Sequence, residues 1–190
     1  MPMTKEHQAR SERGISIVDI MVTMSVMAIV GSMATVQIGT VRRSMQGDSA
    51  MRMVLAQLNT AREMAITQRR NMEIQFVGNN SLRIVRHDVP TGTTVLANVV
   101  LEGYVQYSLV RGLTDTPDAF GNSSAISFGS AQTIMFTSDG TLIDSNGFPI
   151  NGTVFLSIGS MPESARAVTV LGSTGRVRGY RWHATAWSGV

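Results

Sequence analysis

Close to the C-terminus, Arg176, Arg178 and Arg181 stand beside Tyr180, Trp182, His183 and Trp187, and no acidic side chain follows Glu163. A guanidinium meets a phosphate as a planar, permanently charged fork, and an aromatic face can stack on a base. This composition therefore suits contact with nucleic acid. If the segment is a strand, its two-residue period puts Arg176, Arg178, Tyr180 and Trp182 on one face. The same residues serve equally as a solvated hairpin surface or as contacts to a neighbouring subunit. Ser173-Thr174-Gly175 then reads as the hairpin turn.

Other chemistry is thinly supplied. The three histidines, His7, His87 and His183, lie far apart, and cysteine is absent. Neither a metal-ligand spacing nor a nucleophile elbow can be read, so a non-enzymatic chain without a cofactor is expected. Asp115, Asp118, Asp139 and Asp144 make an acidic stretch with no arginine between Arg111 and Arg166. Their spacing is not that of a calcium loop, and they read as solvated turn aspartates.

One more carboxylate needs a reason. Asp19 stands at the entrance of an uncharged run, residues 20–41, dense in Ile, Val, Met and Ala. At a helical rise of about 1.5 Å per residue the run covers roughly the 30 Å core of a bilayer, so a transmembrane helix is expected. Lys5, Arg10 and Arg13 outnumber Glu6 and Glu12 ahead of it, which holds that end in the cytoplasm and sends the rest outward.

The elements that must position these groups follow from periodicity. Met51, Val54, Leu55, Leu58, Ala61 and Ala65 recur at helical spacing, with Arg52, Arg62, Glu63, Arg69 and Arg70 mostly off the stripe. The helix is therefore expected to continue as an amphipathic half, with Gly31 and Gly47 as soft points. From Asn71 the period changes to two: Met72, Ile74 and Phe76, the turn Gly78-Asn79-Asn80, then Leu82, Ile84 and Val85 form a hairpin. Further strands are expected over 99–110, 126–128, 133–136, 154–158, 167–171 and 177–182, between Gly, Asn, Asp and Pro clusters. At 190 residues, 43% apolar and 15% charged, the chain suits an anchor and one α+β head, a long helix on an antiparallel sheet.

The string Arg13-Gly14-Ile15-Ser16-Ile17-Val18-Asp19 resembles the class III signal of type IV prepilins and type II secretion pseudopilins. Ile15 stands where Phe is usual, and Asp19 is one methylene shorter than the usual Glu. The resemblance implies a prepilin peptidase that cuts after Gly14 and methylates Ile15. It makes Asp19 an assembly charge that neutralises the N-terminal amine of a neighbouring subunit. The strand order, Phe136-Thr137-Ser138-Asp139-Gly140 and Ser173-Thr174-Gly175-Arg176-Val177-Arg178 together resemble the GspH/FimT branch. Gly175-Arg176-Val177-Arg178 is also similar to the Gly-Arg-X-Arg signature of FimT-type minor pilins that bind DNA in natural transformation. This marks Arg176 and Arg178, with Arg181 beside them, as candidate contacts to double-stranded DNA.

The implied organisation is a leader over 1–14, a transmembrane helix over 15–41, its amphipathic continuation over 42–70, and a β-rich head over 71–190. A single pass through the inner membrane would leave the head in the periplasm or on an extracellular filament. The expected function is a minor pilin or pseudopilin of a type IV pilus or type II secretion system, with other pilin-like subunits as partners. The alternatives are a DNA-binding minor pilin and a major structural pilin.

Overall fold

The computed structural model describes residues 16–129, 131 and 133–190, with backbone alone over 33–38. The expected leader, including Gly14, and Ile15 lie outside the described residues. The chain begins as α1 (Ile17–Gln68). Ser16 caps it: its Oγ accepts from the Val18 N–H at 3.3 Å and its carbonyl from the Asp19 N–H at 3.0 Å. Asp19 thus lies in the first turn, where negative charge meets the positive end of the helix dipole.

Residues through Gly39 and residues Thr40–Val190 form separate compact units. In the first, Ile17, Val18, Met21, Val22, Met24, Met27, Ile29 and Val30 are all exposed. The hydroxyls of Thr23, Ser25 and Ser32 donate to the carbonyls of Ile20, Met21 and Ile29, which hides polar groups along an apolar surface. Among the described residues no helix is long and apolar enough to cross a membrane. Of the expected span over 15–41, Ile15 and the side chains of 33–38 fall outside what is described.

Gly31 and Gly47, the expected soft points, both lie within the unbroken run of α1. Gly47 has a packing reason instead, since a Cβ there would sit 2.6 Å from the Ser164 carbonyl oxygen. Glycine lets the helix touch the head at that place.

In the second unit the expected stripe is the core. Ala50, Met51, Val54, Leu58, Ala61 and Ala65 are essentially inaccessible. The helix stops where Arg69 takes a left-handed φ of 50° and the Arg70 N–H reaches back to the Ala65 carbonyl at 3.2 Å, a common way to satisfy a last-turn carbonyl.

The stripe packs on two antiparallel sheets. Among the described residues the first has the order β3-β2-β1-β6-β7. Its strands are β1 (Met72–Val77), β2 (Ser81–His87), β3 (Thr93–Val100), β6 (Ile134–Phe136) and β7 (Leu142–Ile143). The second has the order β11-β10-β9-β8-β4, with β5 also on β8. It comprises β4 (Gln106–Tyr107), β5 (Ile126–Ser127), β8 (Gly152–Ser157), β9 (Arg166–Leu171), β10 (Arg176–His183) and β11 (Ala186–Gly189). One core joins the helix to Met72, Ile74, Leu82, Ile84 and Phe136 of the first sheet and to Val154, Leu156, Val168 and Val170 of the second.

The α+β architecture and the β1–β2 hairpin agree with the sequence reading, but one expected sheet is two. The strand expected over 99–110 is also split. β3 ends at Val100, Gly103 turns the chain at φ 71°, and only Gln106–Tyr107 pairs again, now with β8 of the other sheet.

Candidate nucleic-acid interface on the last strands

β10 lies between β9 and β11, so each of its residues has a fixed neighbour and a fixed face. Arg178 pairs with Thr169, Tyr180 with Ala167 and Arg181 with Arg166. Val177, Gly179 and Arg181 turn toward the helix, and a Cβ on Gly179 would lie 2.8 Å from Leu55 Cδ1. Arg176, Arg178, Tyr180 and Trp182 share the outer face, as two-residue alternation requires.

That outer face is itself partly covered. Val110, Phe155, Ala165, Ala167, Tyr180 and Trp187 form a second, smaller core, flanked by Leu109, Leu113 and Trp182. Trp187 donates its indole N–H to the Thr114 carbonyl at 2.7 Å and packs edge-on against Trp182, with centroids 5.2 Å apart. Tyr180 and Trp187 are buried. They hold the 109–119 loop to the sheet and are not platforms for bases, which corrects the stacking role expected for these aromatics.

The arginines divide by face. Arg176 is exposed, and no ion pair of its side chain is found among the described residues. Arg178, half-exposed, donates Nη1–H to Asp118 at 3.2 Å. Arg181 points the other way and grips Asp48 of α1 through Nε at 3.1 Å and Nη2 at 2.5 Å.

Asp48 also receives Nε–H of Arg166 at 2.6 Å. The Arg166 side chain is 0% exposed and gives its remaining protons to the Glu163, Ala165 and Ser44 carbonyls and to Ser44 Oγ. A buried guanidinium is tolerable only when satisfied in this way. In the sequence nothing distinguishes Arg166 from the arginines that follow it. Only the register, which places it inside the helix-facing layer, shows that it is structural.

Burial pushes the Asp48 carboxyl up, but the hydrogen bonds and charges of Arg166 and Arg181 outweigh this and hold it below its ordinary value. Asp118 behaves alike. Burial raises it, and the hydroxyls of Thr169 and Tyr180 with the charges of Arg178 and Arg176 bring it lower. The four acidic-stretch aspartates are not brought together. Asp115 caps its own turn through the N–H groups of Thr116 and Gly121, and Asp144 accepts from those of Asn146 and Phe148. Asp139, bonded by Thr137 and Thr141, is held down to about 2.

Gly175 closes the β9–β10 turn at φ 62°, and a Cβ on it would lie 2.0 Å from the Gly140 carbonyl oxygen and 2.8 Å from Arg62 Nε. Arg62 donates to that same carbonyl at 3.2 Å. The glycine that precedes Arg176 is thus demanded by contact between two turns and the helix.

A long helix laid on antiparallel sheets, with its N-terminal part carrying exposed apolar side chains, is the arrangement of a pilin-like subunit. The family described as type II transport protein GspH matches residues 50–175. The chain belongs to that family, among the minor pilins and pseudopilins of the GspH/FimT kind. The match ends at Gly175 and so does not extend to the β10 arginines. Two crystal structures of the type IV minor pilin FimU from Pseudomonas aeruginosa strain PAO1 are similar to this chain. They are 17% and 19% identical, cover 75% and 70% of this chain and 91% and 90% of that one, and have TM-scores of 0.49 and 0.48. At these values the likeness adds nothing to the family match. No curated protein matches in sequence.

Proposed function

We propose that the chain is a minor pilin or pseudopilin of a type IV pilus or type II secretion system, built into a filament through α1 and carrying its head at or near the tip. The observation that supports this most is the run of exposed apolar side chains from Ile17 to Val30. So much uncovered apolar surface on a helix calls for lipid or for neighbouring helices. On this reading a prepilin peptidase removes 1–14 after Gly14 and methylates Ile15. Residues 15–41 cross the inner membrane once before assembly, and the head lies in the periplasm or on the extracellular filament. On the same reading Asp19, in the first turn, pairs with the N-terminal amine of a neighbouring subunit. An unpaired charge in apolar surroundings costs several kcal/mol. The output is binding and assembly, not a reaction.

The test is fractionation of the full chain in cells. Wild type is expected in sheared filaments at low copy number. Asp19→Asn is expected to stay in the membrane and to fall at least tenfold in filaments, the factor for about 1.4 kcal/mol. Equal incorporation of Asp19→Asn would remove the assembly role of Asp19. Dominance of this chain in the sheared material would make it the major pilin.

A second reading, the DNA-binding minor pilin, is favoured by one observation: Arg176 and Arg178 are both exposed on the same strand face. A salt titration of duplex binding checks it. Arg176→Ala with Arg178→Ala is expected to weaken binding and to flatten the log–log salt slope by at least about 0.9, the contribution of one phosphate neutralised by a cation. Absence of wild-type binding near physiological salt would end this reading.

A further inference from the structure

Arg178 already holds an anion. The Asp118 carboxylate accepts from Arg178 Nη1 at 3.2 Å, from the Tyr180 hydroxyl at 2.8 Å and from the Thr169 hydroxyl at 2.6 Å. All three donors come from the outer face of the β9–β10 pair, where Thr169 and Arg178 are direct cross-strand partners. Asp118 arrives from the loop between β4 and β5. A carboxylate and a phosphate diester present the same chemistry to such donors: anionic oxygens that accept from hydroxyls and from a guanidinium.

We infer that Thr169, Arg178 and Tyr180 form an oxyanion cradle occupied by the chain's own Asp118, and that a phosphate of duplex DNA competes with Asp118 for Arg178. The inference rests on the DNA-binding reading and adds to it the residue that limits it. Arg176 meets DNA first. Arg178 contributes only when its internal partner is displaced or neutralised.

Two features make the exchange physically reasonable. The Arg178 side chain is 46% exposed while that of Asp118 is 13% exposed, so the guanidinium is open to a phosphate from the solvent side and can exchange partners without leaving water. The loop also has other anchors, namely Trp187 on the Thr114 carbonyl and the Asp115 turn, so its attachment does not depend on the charge of Asp118. Ala119, next in sequence, holds a left-handed φ of 54°, a strained conformation at the tip that carries the carboxylate.

The test is duplex binding by the full chain in detergent, titrated with salt, for wild type, Asp118→Asn, Arg178→Ala and the double variant. Asparagine keeps an oxygen for the Thr169 and Tyr180 hydroxyls and removes the charge together with the acceptor that faces Arg178. Asp118→Asn is expected to bind several-fold tighter than wild type, with a slope steeper by about 0.9 for one more neutralised phosphate. The gain is expected to vanish without Arg178, as coupled residues require. Should Asp118→Asn fold poorly, Thr169→Ala keeps every charge and loosens the hold on Asp118, and it is expected to tighten binding in the same direction by less. Measurable wild-type binding that Asp118→Asn and Thr169→Ala leave unchanged, or a gain that persists without Arg178, would overturn the competition while leaving DNA binding intact. If neither wild type nor any variant binds duplex at low salt, the DNA-binding reading fails and the competition fails with it.

Discussion

Arg166→Ala is expected to destabilise the head by about 3–5 kcal/mol, the usual effect of removing one member of a buried ion pair. Against a total stability of roughly 5–15 kcal/mol for a domain, this leaves a marginal fold. The reason is position as well as charge. Arg166 is wholly buried, and its truncation leaves Asp48 with half its partners and takes one donor from each of the Glu163, Ala165 and Ser44 carbonyls. Arg181→Ala removes the other partner of the same carboxylate, but from a side chain 38% exposed. Water replaces it, so a cost of about 1 kcal/mol or less is expected. Urea titration of the full chain, followed by the fluorescence of Trp182 and Trp187, reads both. Equal midpoints for the two variants would show that the burial of Arg166 does not set its energy.

Gly175→Ala is expected to cost about 3 kcal/mol or more. A left-handed backbone asks about 1–2 kcal/mol of any residue with a Cβ, and forcing that Cβ against a carbonyl in a packed place adds about 1–3 kcal/mol. Gly78→Ala is the control, because Gly78 has nearly the same φ, 61°, and nothing within 4 Å of the added atom. It should show the backbone part alone. Thermal melts of the two variants beside wild type measure the difference, and equal shifts would mean that the approach of Gly175 to Gly140 is unimportant. The comparison bears on function, since weak DNA binding by a Gly175 variant would report a displaced turn rather than a role of the glycine at the DNA surface.

What was legible in sequence is what depends on local period. The stripe Met51, Val54, Leu58, Ala61 and Ala65 buries one helix face wherever the helix lies, and the alternation of Met72, Ile74 and Phe76 with a Gly-Asn-Asn turn makes a hairpin without outside help. The parity of Arg176 and Arg178 is local in the same sense and holds in the structure. β3 and β11 were not legible, because an edge strand such as Thr93–Val100, with Val95 and Val100 exposed, lacks the alternation of a half-buried strand and is defined by its pairing with β2.

The division into two sheets and the fates of the arginines were decided by tertiary structure alone. Arg166, Arg178 and Arg181 look alike in a basic tail. Strand register puts the first in the core, the second against Asp118 and the third against Asp48, partners 118, 60 and 133 residues distant along the chain. A charge acts through what lies within a few ångströms of it, and one-dimensional spacing carries no information about neighbours that only folding brings that close.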